Sequence, residues 1–395
     1  MTDRSPPSLA TLVILTALSV LALNMFLPSL SGIAAEFQAD YALVSLSIGG
    51  FLAVSAVLQI IMGPLSDLYG RRPVMLGGMA LFTVASLGCL LAQDVWSFMI
   101  FRMLQSGAVV GMVLSRAVVR DTVPQAEAAR RLGLIGSAMA LAPLLGPLIG
   151  GVLDEFFGWR ANFVAYTLIG LAVLVLIWAD LGETNRMRGA GFRAHFRSYP
   201  ELGRSGLFWA HCICLVFSVG GFYAFIGAAP QVGEARYGLS PAWVGLGMGC
   251  ISLGFLAGNL LSTWLPRFVP LSRVIVAGRV MACVGPLVGL ALLAVTPWDS
   301  PLMFFAPVML VGLGNGLTLP GVNAGVMSVA PHLAGSASGL SGALTVAAGA
   351  LITAAAGVAA GSTGRTDLSL ALILATSVIS RAAAVAAARI EARKT

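Results

Sequence analysis

The chain has 395 residues, of which 58% are hydrophobic and only 10% are charged, and its formal net charge at pH 7 is +7. Soluble domains carry about 25% charged residues, so this composition excludes an ordinary soluble enzyme or binding module. The positive charges are spread along the chain and are not clustered on one soluble face, which argues against a nucleic-acid-binding protein. The composition therefore predicts a protein that crosses a membrane several times.

Apolar stretches of about 20 residues, long enough to cross roughly 30 Å of hydrocarbon as a helix, recur along the chain. Six occur in the first half, near residues 9–30, 42–62, 74–93, 96–119, 132–153 and 161–181. Six more lie near residues 206–229, 241–264, 273–296, 301–328, 333–360 and 367–388. The first stretch has only Arg4 before it and no convincing cleavage site, so it is interpreted as a helix and not as a signal peptide.

Residues 182–205 interrupt this pattern with glycine, proline and five arginines. We therefore predict a six-helix half at 1–181, a cytosolic linker at 182–205 and a second six-helix half at 206–395. With the first residues in the cytosol, the loop arginines fall on the cytosolic side apart from Arg160, Arg236 and Arg365. The positive-inside rule then places both termini in the cytosol.

The segment GPLSDLYGRRPV at residues 63–74 lies between two apolar stretches. Charges this dense cannot lie in hydrocarbon, so the segment is predicted to be a tight turn at a membrane surface. It resembles the loop between the second and third helices of the major facilitator superfamily, whose pattern G-x-L-x-D-x-x-G-R-R/K is matched by Gly63, Leu65, Asp67, Gly70, Arg71 and Arg72. The turn predicts that Asp67 faces the N-terminus of a neighbouring helix and locks one conformation, while Arg71 and Arg72 anchor at lipid phosphates.

The second half contains a weaker version of this turn. GNLLSTWLPRF at residues 258–268 keeps Gly258 and Arg267 but has Ser262 where the first half has Asp67. Parallel halves of this kind place a substrate cavity on their shared pseudo-axis, which opens to the two sides of the membrane in turn. The sequence therefore predicts an all-α membrane protein with twelve transmembrane helices in two pseudo-symmetric halves.

The fifth stretch contains a tandem of proline and glycine, APLLGPLIGG at residues 142–151. Small residues allow close helix packing, and proline removes a backbone donor and permits a kink. The tandem resembles the antiporter motif of drug-exporting members of the superfamily, carried here by Pro143, Gly146, Pro147, Gly150 and Gly151. The alternative is an ordinary packing face, because both residue types are common in membrane helices.

The fourth stretch contains Arg102 and Gln105, which resemble the R-x-x-Q-G element of the superfamily with one residue inserted before the glycine. An arginine in a span faces the protein interior or extends towards the headgroups, and the sequence leaves both open. Further along, Arg116, Arg120 and Asp121 match the S-R-A-x-x-R-D stretch of the bicyclomycin-resistance (Bcr/CflA) branch. A surface ion pair is the alternative interpretation of this stretch.

One departure from that branch concerns proton coupling. The branch carries an acid on its first helix, and this chain has Asn24 there, in the run NMFLP. An amide neither titrates nor carries charge. No acid lies near the centre of any predicted span, so the coupling candidates are Asp67 and Asp121, with His211 as a weaker one.

Helices 1, 4, 7 and 10 line the cavity in the superfamily. The resemblance therefore implies a substrate site built from aromatic, methionine and amide side chains: Asn24, Phe26, Gln105, Met112, Phe217, Phe222, Tyr223, Asn315 and Asn323. Such a lining suits an amphiphilic organic molecule, and the missing acid favours neutral or zwitterionic compounds over permanent cations.

The leading hypothesis is a secondary multidrug-type exporter of small amphiphilic molecules in the bacterial inner membrane, driven by proton antiport. The second hypothesis is an uptake porter or facilitator for a small metabolite, with Arg102 available to hold an anion. An intramembrane enzyme is disfavoured because the spans offer no paired acids and no clustered histidines. No ATP-binding loop, cofactor or metal site is expected, the five cysteines are interpreted as packing residues, and a monomer in the lipid bilayer is predicted.

Overall fold

The protein is described by a computed structural model that covers residues 7–123, 125–185, 202–295, 300–330 and 334–393. These residues form twelve long helices and no strand. Eleven of the helices are long and apolar enough to cross a membrane, and the fifth helix in chain order is 33 residues long. The predicted all-helical membrane fold is confirmed. Most of the predicted linker lies outside the described residues.

The first half contains α1 to α6. Helix α1 runs over Leu9–Asn24 and continues through a 3-10 turn at Leu27–Ser29 into Leu30–Glu36. Helices α2 and α3 are Tyr41–Tyr69 and Arg71–Leu91, and α4 consists of Val95–Leu104, a 3-10 turn at Gln105–Ala108, and Val109–Thr122. Helices α5 and α6 are Gln125–Phe157 and Arg160–Asp180.

The second half contains α7 to α12. Helix α7 is Gly206–Gln231 followed by a π-helical turn at Val232–Arg236, and α8 is Pro241–Trp264 followed by a 3-10 turn at Leu265–Arg267. Helices α9 and α10 are Leu271–Val295 and Leu302–Ser328. Helices α11 and α12 are Ala334–Ala360 and Thr366–Ala392.

Local sequence explains several helix boundaries. Asp94 caps α4 by accepting hydrogen bonds from the backbone N–H groups of Trp96 and Ser97, and bonds from the Ser97 backbone and side chain lower the pKa of its carboxyl. Helix α2 ends at Gly70, whose φ of +101° suits glycine. The break in α1 precedes Pro28, which has no N–H to continue the helix.

The packing of the two halves repeats with an offset of six helices. Helix α9 packs against α10 and α12, as α3 packs against α4 and α6. Between the halves, α2 packs against α11 and α5 packs against α8. Adding six to α2 and to α5 gives α8 and α11, so the two contacts are equivalent under a pseudo-two-fold axis. The halves therefore meet along two matched helix pairs.

The outer surface of the bundle is apolar. Val84, Val175 and Leu351 are more than 60% exposed, as are aromatic residues near helix ends such as Trp96 and Trp178. So much exposed apolar surface is unsuited to water, and aromatic rings at the ends of the spans are typical of a membrane interface. The protein is a multi-pass membrane protein.

The bundle has two ends, which contain different helix connections. One end, here called the terminal face, contains the start of α1, the α2–α3 turn, the α8–α9 turn and the end of α12. The other end, here called the opposite face, contains the α1–α2, α5–α6, α7–α8 and α11–α12 connections.

Candidate functional site

A cavity of about 390 Å³ lies between the two halves. Side chains of α1, α5, α7, α8 and α10 line it, and most are apolar, such as Val20, Phe222 and Phe255. The polar lining side chains are Ser252, Asn259 and Asn315, and no charged side chain belongs to the lining in the described part of the chain. A cavity of this kind suits a small, largely apolar molecule oriented by a few hydrogen bonds.

Glycines close the bundle at the opposite face. Gly151 of α5 lies against the Pro241 carbonyl of α8, and Gly245 of α8 lies against the Pro147 carbonyl of α5. A Cβ atom at either glycine would overlap the facing backbone, so only glycine permits this approach.

Hydrogen bonds between the halves reinforce this closure. The Tyr41 hydroxyl of α2 donates to the Gly227 carbonyl of α7 over 3.1 Å. Glu155 of α5 accepts from the Ser240 hydroxyl over 2.7 Å and from the Ala242 N–H over 3.2 Å. All three lie near the opposite face, where the two halves are held together.

The predicted antiporter motif extends from the cavity to this closed end. Pro143 lines the cavity. One turn further along α5, a Cβ at Gly146 would lie 3.3 Å from the Cβ of Asn24, and Gly150 lies against the Met25 carbonyl where α1 breaks. Pro147 and Gly151, also on α5, contact α8. The motif therefore gives α5 two packing faces, one against α1 and one against α8.

Arg102 is fully buried inside the first half. Its guanidinium donates to the Ala22 carbonyl over 2.7 Å and to Gln105 Oε1 over 2.6 Å. It also lies over the rings of Phe26 and Phe51, at 4.0 and 4.5 Å from their centroids. The interior interpretation is therefore correct, and the extension towards the headgroups is not observed. None of these contacts is with a carboxylate.

Asn24 lies behind the cavity wall, where it is 2% exposed. Its Nδ2 donates to the Val20 carbonyl over 2.8 Å, and its Oδ1 has no hydrogen-bond partner among the described residues. Phe26 and Gln105 are likewise buried around Arg102 and do not line the cavity. These three residues, which were predicted to bind substrate, are therefore buried inside the first half and do not belong to the cavity lining.

The second half contributes more of the predicted binding residues to the cavity. Phe222 and Asn315 line it, whereas Tyr223 packs against Gly349 of α11. Three others lie elsewhere: Met112 is half-buried on α4, Phe217 packs with a separate apolar cluster on α7, and Asn323 is exposed on α10.

Sequence reasoning missed a second buried arginine, Arg279 of α9, which is 1% exposed. It donates to Asn315 Oδ1 over 2.8 Å, to the Thr318 hydroxyl over 2.9 Å and to the Ser380 hydroxyl over 3.4 Å. A signal was available: a charged residue about six positions inside a predicted span is itself a functional hypothesis. The arginines that the sequence motifs assigned to coupling or conformational change all belong to the first half.

The signature turn forms an ion network at the terminal face. The Arg71 guanidinium contacts Asp67 over 2.6 Å and Asp121 at the end of α4 over 3.0 Å. Glu183, which follows α6, accepts from the Arg71 N–H over 2.9 Å and from the Arg72 N–H over 3.3 Å. The network ties α2, α3, α4 and the segment after α6 together within the first half.

The other arginines of the predicted motifs, which we expected to act in coupling or in conformational change, and His211 have different environments. The Arg72 guanidinium donates to the Trp178 carbonyl over 2.9 Å, and Arg116 donates to the Met139 sulfur over 3.7 Å. The Arg120 side chain lies outside the described residues. His211 of α7 contacts Glu391 of α12 over 3.0 Å and does not belong to the cavity lining.

Comparisons with known proteins agree with this architecture. Residues 12–354 match the Major Facilitator Superfamily. The chain is 31% identical over 336 residues to a chloramphenicol resistance protein of Pseudomonas aeruginosa, covering 83% of this chain and 78% of that protein. It is 28% identical over 348 residues to multidrug resistance protein D of Escherichia coli, covering 87% and 86%.

A solved structure shows the same fold. A bacterial homologue of the human lysosomal transporter Spinster, in an inward-facing and unoccupied conformation, superposes with a TM-score of 0.78 at 16% identity and covers 96% of this chain and 97% of that one. Helices, cavity and comparisons together define a membrane transporter. The chain belongs to the Major Facilitator Superfamily.

Proposed function

We propose that this protein is a secondary multidrug-type exporter of small amphiphilic organic molecules, of the Bcr/CflA type, which exchanges substrate for protons by alternating access. The apolar cavity with three polar side chains supports a substrate of this class. The relatives named for chloramphenicol and multidrug resistance support export as its direction.

The observation that carries the proposal is that the antiporter motif extends from the cavity wall to the closed end of the bundle. Pro143 is part of the cavity wall, and Gly151 is part of the closed end. A rotation of one half against the other would change the contacts of α5 with α8, while α1, which packs on α5 within the same half, would move together with it. The motif therefore joins the substrate site to the gate.

We further propose that both termini are cytosolic and that the protein lies in the bacterial inner membrane. The arginine distribution supports this orientation. The closed opposite face would then be external, and the described conformation would receive substrate from the cytosol, as the first step of export requires.

Coupling is proposed to use the acids of the terminal face. Asn24 supplies no titratable proton, and the cavity lining contains no acid among the described residues. Asp67 and Asp121 share Arg71, so protonation of either would weaken the network that holds α2, α3 and α4.

The test is transport of chloramphenicol by the purified protein in proteoliposomes with independently imposed pH and voltage gradients. We expect uphill movement opposite to the proton gradient, which stops when a protonophore is added. Downhill movement of chloramphenicol that does not depend on the pH gradient would identify a facilitator. Movement of chloramphenicol in the same direction as protons would identify a symporter. Either result contradicts the proposal.

Two controls fix the interpretation. Gly150→Leu should abolish transport because it separates α5 from α1, whereas Gly77→Leu should not, because Gly77 is an exposed helical glycine with open space around it. On a cysteine-free background, Arg204→Cys and Arg236→Cys should label from the cytosolic and external sides respectively, which reports the orientation.

A further inference from the structure

The cavity wall on the side of the second half contains a hydroxyl without a partner. Ser252 of α8 is 4% exposed and lines the cavity, and its Oγ forms no hydrogen bond among the described residues. A buried hydroxyl without a partner is costly, so it points to a partner supplied by a bound molecule.

Asn315 of α10 lies on the same wall and is oriented by its neighbour. Its Oδ1 accepts a hydrogen bond from Arg279, and a guanidinium can only donate, so the amide orientation follows from the chemistry. The donor end, Nδ2, is therefore the end of the amide that is left for the cavity. Ser252 and Asn315 together offer hydrogen-bond donors to a bound molecule.

Arg279 adds an uncompensated positive charge behind these donors. Its hydrogen-bond acceptors are neutral, and the titratable groups that face it are the thiols of Cys214 and Cys283. A guanidinium keeps its charge in a protein interior. Since the surroundings are apolar, its field extends through Asn315 into the cavity. Arg102 lacks this connection because its guanidinium is enclosed by the rings of Phe26 and Phe51 and by the α1 backbone.

We propose that Ser252, Asn315 and Arg279 form a subsite for an anionic oxygen group, a carboxylate, on an otherwise apolar substrate. Ser252 and Asn315 donate hydrogen bonds to the carboxylate, and Arg279 polarises Asn315 and supplies the compensating charge. The inference rests on the proposed function, since it takes this cavity as the substrate site. It assigns the transporter a preference for acidic amphiphiles over cationic ones.

The test uses three ligands with one scaffold and different head groups: 4-phenylbutyrate, 4-phenylbutyramide and 4-phenylbutyl-trimethylammonium. Binding to the purified protein in detergent is measured by calorimetry at pH 7. We expect the carboxylate to bind roughly tenfold more tightly than the ammonium compound. Arg279→Gln should weaken carboxylate binding about tenfold and leave binding of the neutral amide within about twofold.

Matched variants separate this role from a structural one. Arg381→Gln removes an exposed arginine of α12 in the same half and should leave the order of affinities unchanged. Arg279→Lys should retain part of the preference because it retains the charge. Ser252→Ala should weaken carboxylate binding more than amide binding, and it provides a second test if Arg279→Gln does not fold.

Three results would overturn the proposal: equal wild-type affinities for the carboxylate and the ammonium ligand, an equal loss for all three ligands in Arg279→Gln, or a preference that disappears in Arg116→Gln but not in Arg279→Gln. Because binding in detergent needs no gradient, failure of proton-coupled export would leave this measurement intact. Conversely, export of neutral compounds without the carboxylate preference would refute the subsite alone.

Discussion

The two halves share one fold but distribute their charges differently. In the first half, Arg71 joins two acids at the terminal face, and the buried Arg102 contacts helix backbone and aromatic rings away from the cavity. In the second half, the equivalent α8–α9 turn has an exposed Arg267, and the buried Arg279 bonds to a cavity residue.

We propose that this difference reflects separate tasks of the two halves. Ion pairs at a membrane surface can be made and broken during a conformational cycle, which suits the first half to switching. A buried charge held by neutral acceptors stays in place and sets a field, which suits the second half to recognition. The pseudo-symmetry of the helices therefore does not extend to their chemistry.

The largest expected effect comes from breaking the network of the first half. Asp67→Asn removes the charge that Arg71 contacts over 2.6 Å and should abolish turnover in proteoliposomes. Substrate affinity should stay within a few-fold, because Asp67 lies at the terminal face and not in the cavity lining.

Arg267→Gln in the equivalent turn of the second half is the matched control, and it should transport nearly as the natural protein does. If Asp67→Asn folds normally but loses substrate binding, or if Arg267→Gln is as inactive as Asp67→Asn, the division of tasks between the halves is wrong.

A smaller effect is expected from giving the first half the acid it lacks. In the natural protein, binding should vary little between about pH 5.5 and 8, because Asn24 does not titrate. Asn24→Asp places a carboxyl in a buried site, where burial favours the protonated form. The variant should bind cationic ligands better as the pH rises and the carboxylate forms.

Titration of binding against pH for both proteins checks this expectation. Steep pH dependence in the natural protein that survives Asp67→Asn, Asp121→Asn and His211→Gln would show that the cavity has a proton carrier of another kind.

The sequence predicted the fold well because the membrane imposes strong rules. Apolar length places the helices, and the GPLSDLYGRRPV motif identifies the superfamily, so these features follow from local composition. The 3-10 turns after Asn24 and Leu104 were not predicted. The first turn lies where Pro28 supplies no backbone N–H and where Arg102 donates to the Ala22 carbonyl, and the second begins at Gln105, whose side chain accepts from Arg102.

The site was harder to predict because the direction of each side chain depends on tertiary packing. Phe222 and Asn315 line the cavity as expected, but Asn24 and Gln105 are buried in the interior of the first half, although their helices were expected to line the cavity. A span rich in alanine, leucine and glycine has no polar face that would reveal its rotation. Arg279 was identifiable as a charged residue in a span, but its bond to Asn315 required the structure.

The central claim is that one cavity opens in turn to the two faces as the halves move against each other. Double electron–electron resonance tests it directly by measuring two distances between spin labels on exposed residues of the two halves. The first distance joins Ala35 and Ala235 at the opposite face, and the second joins Tyr69 and Phe268 at the terminal face. Under a proton gradient with substrate, we expect a population in which the first distance lengthens while the second shortens. If both distances stay fixed, or both lengthen together, during measured transport, the two halves do not alternate and the account is contradicted.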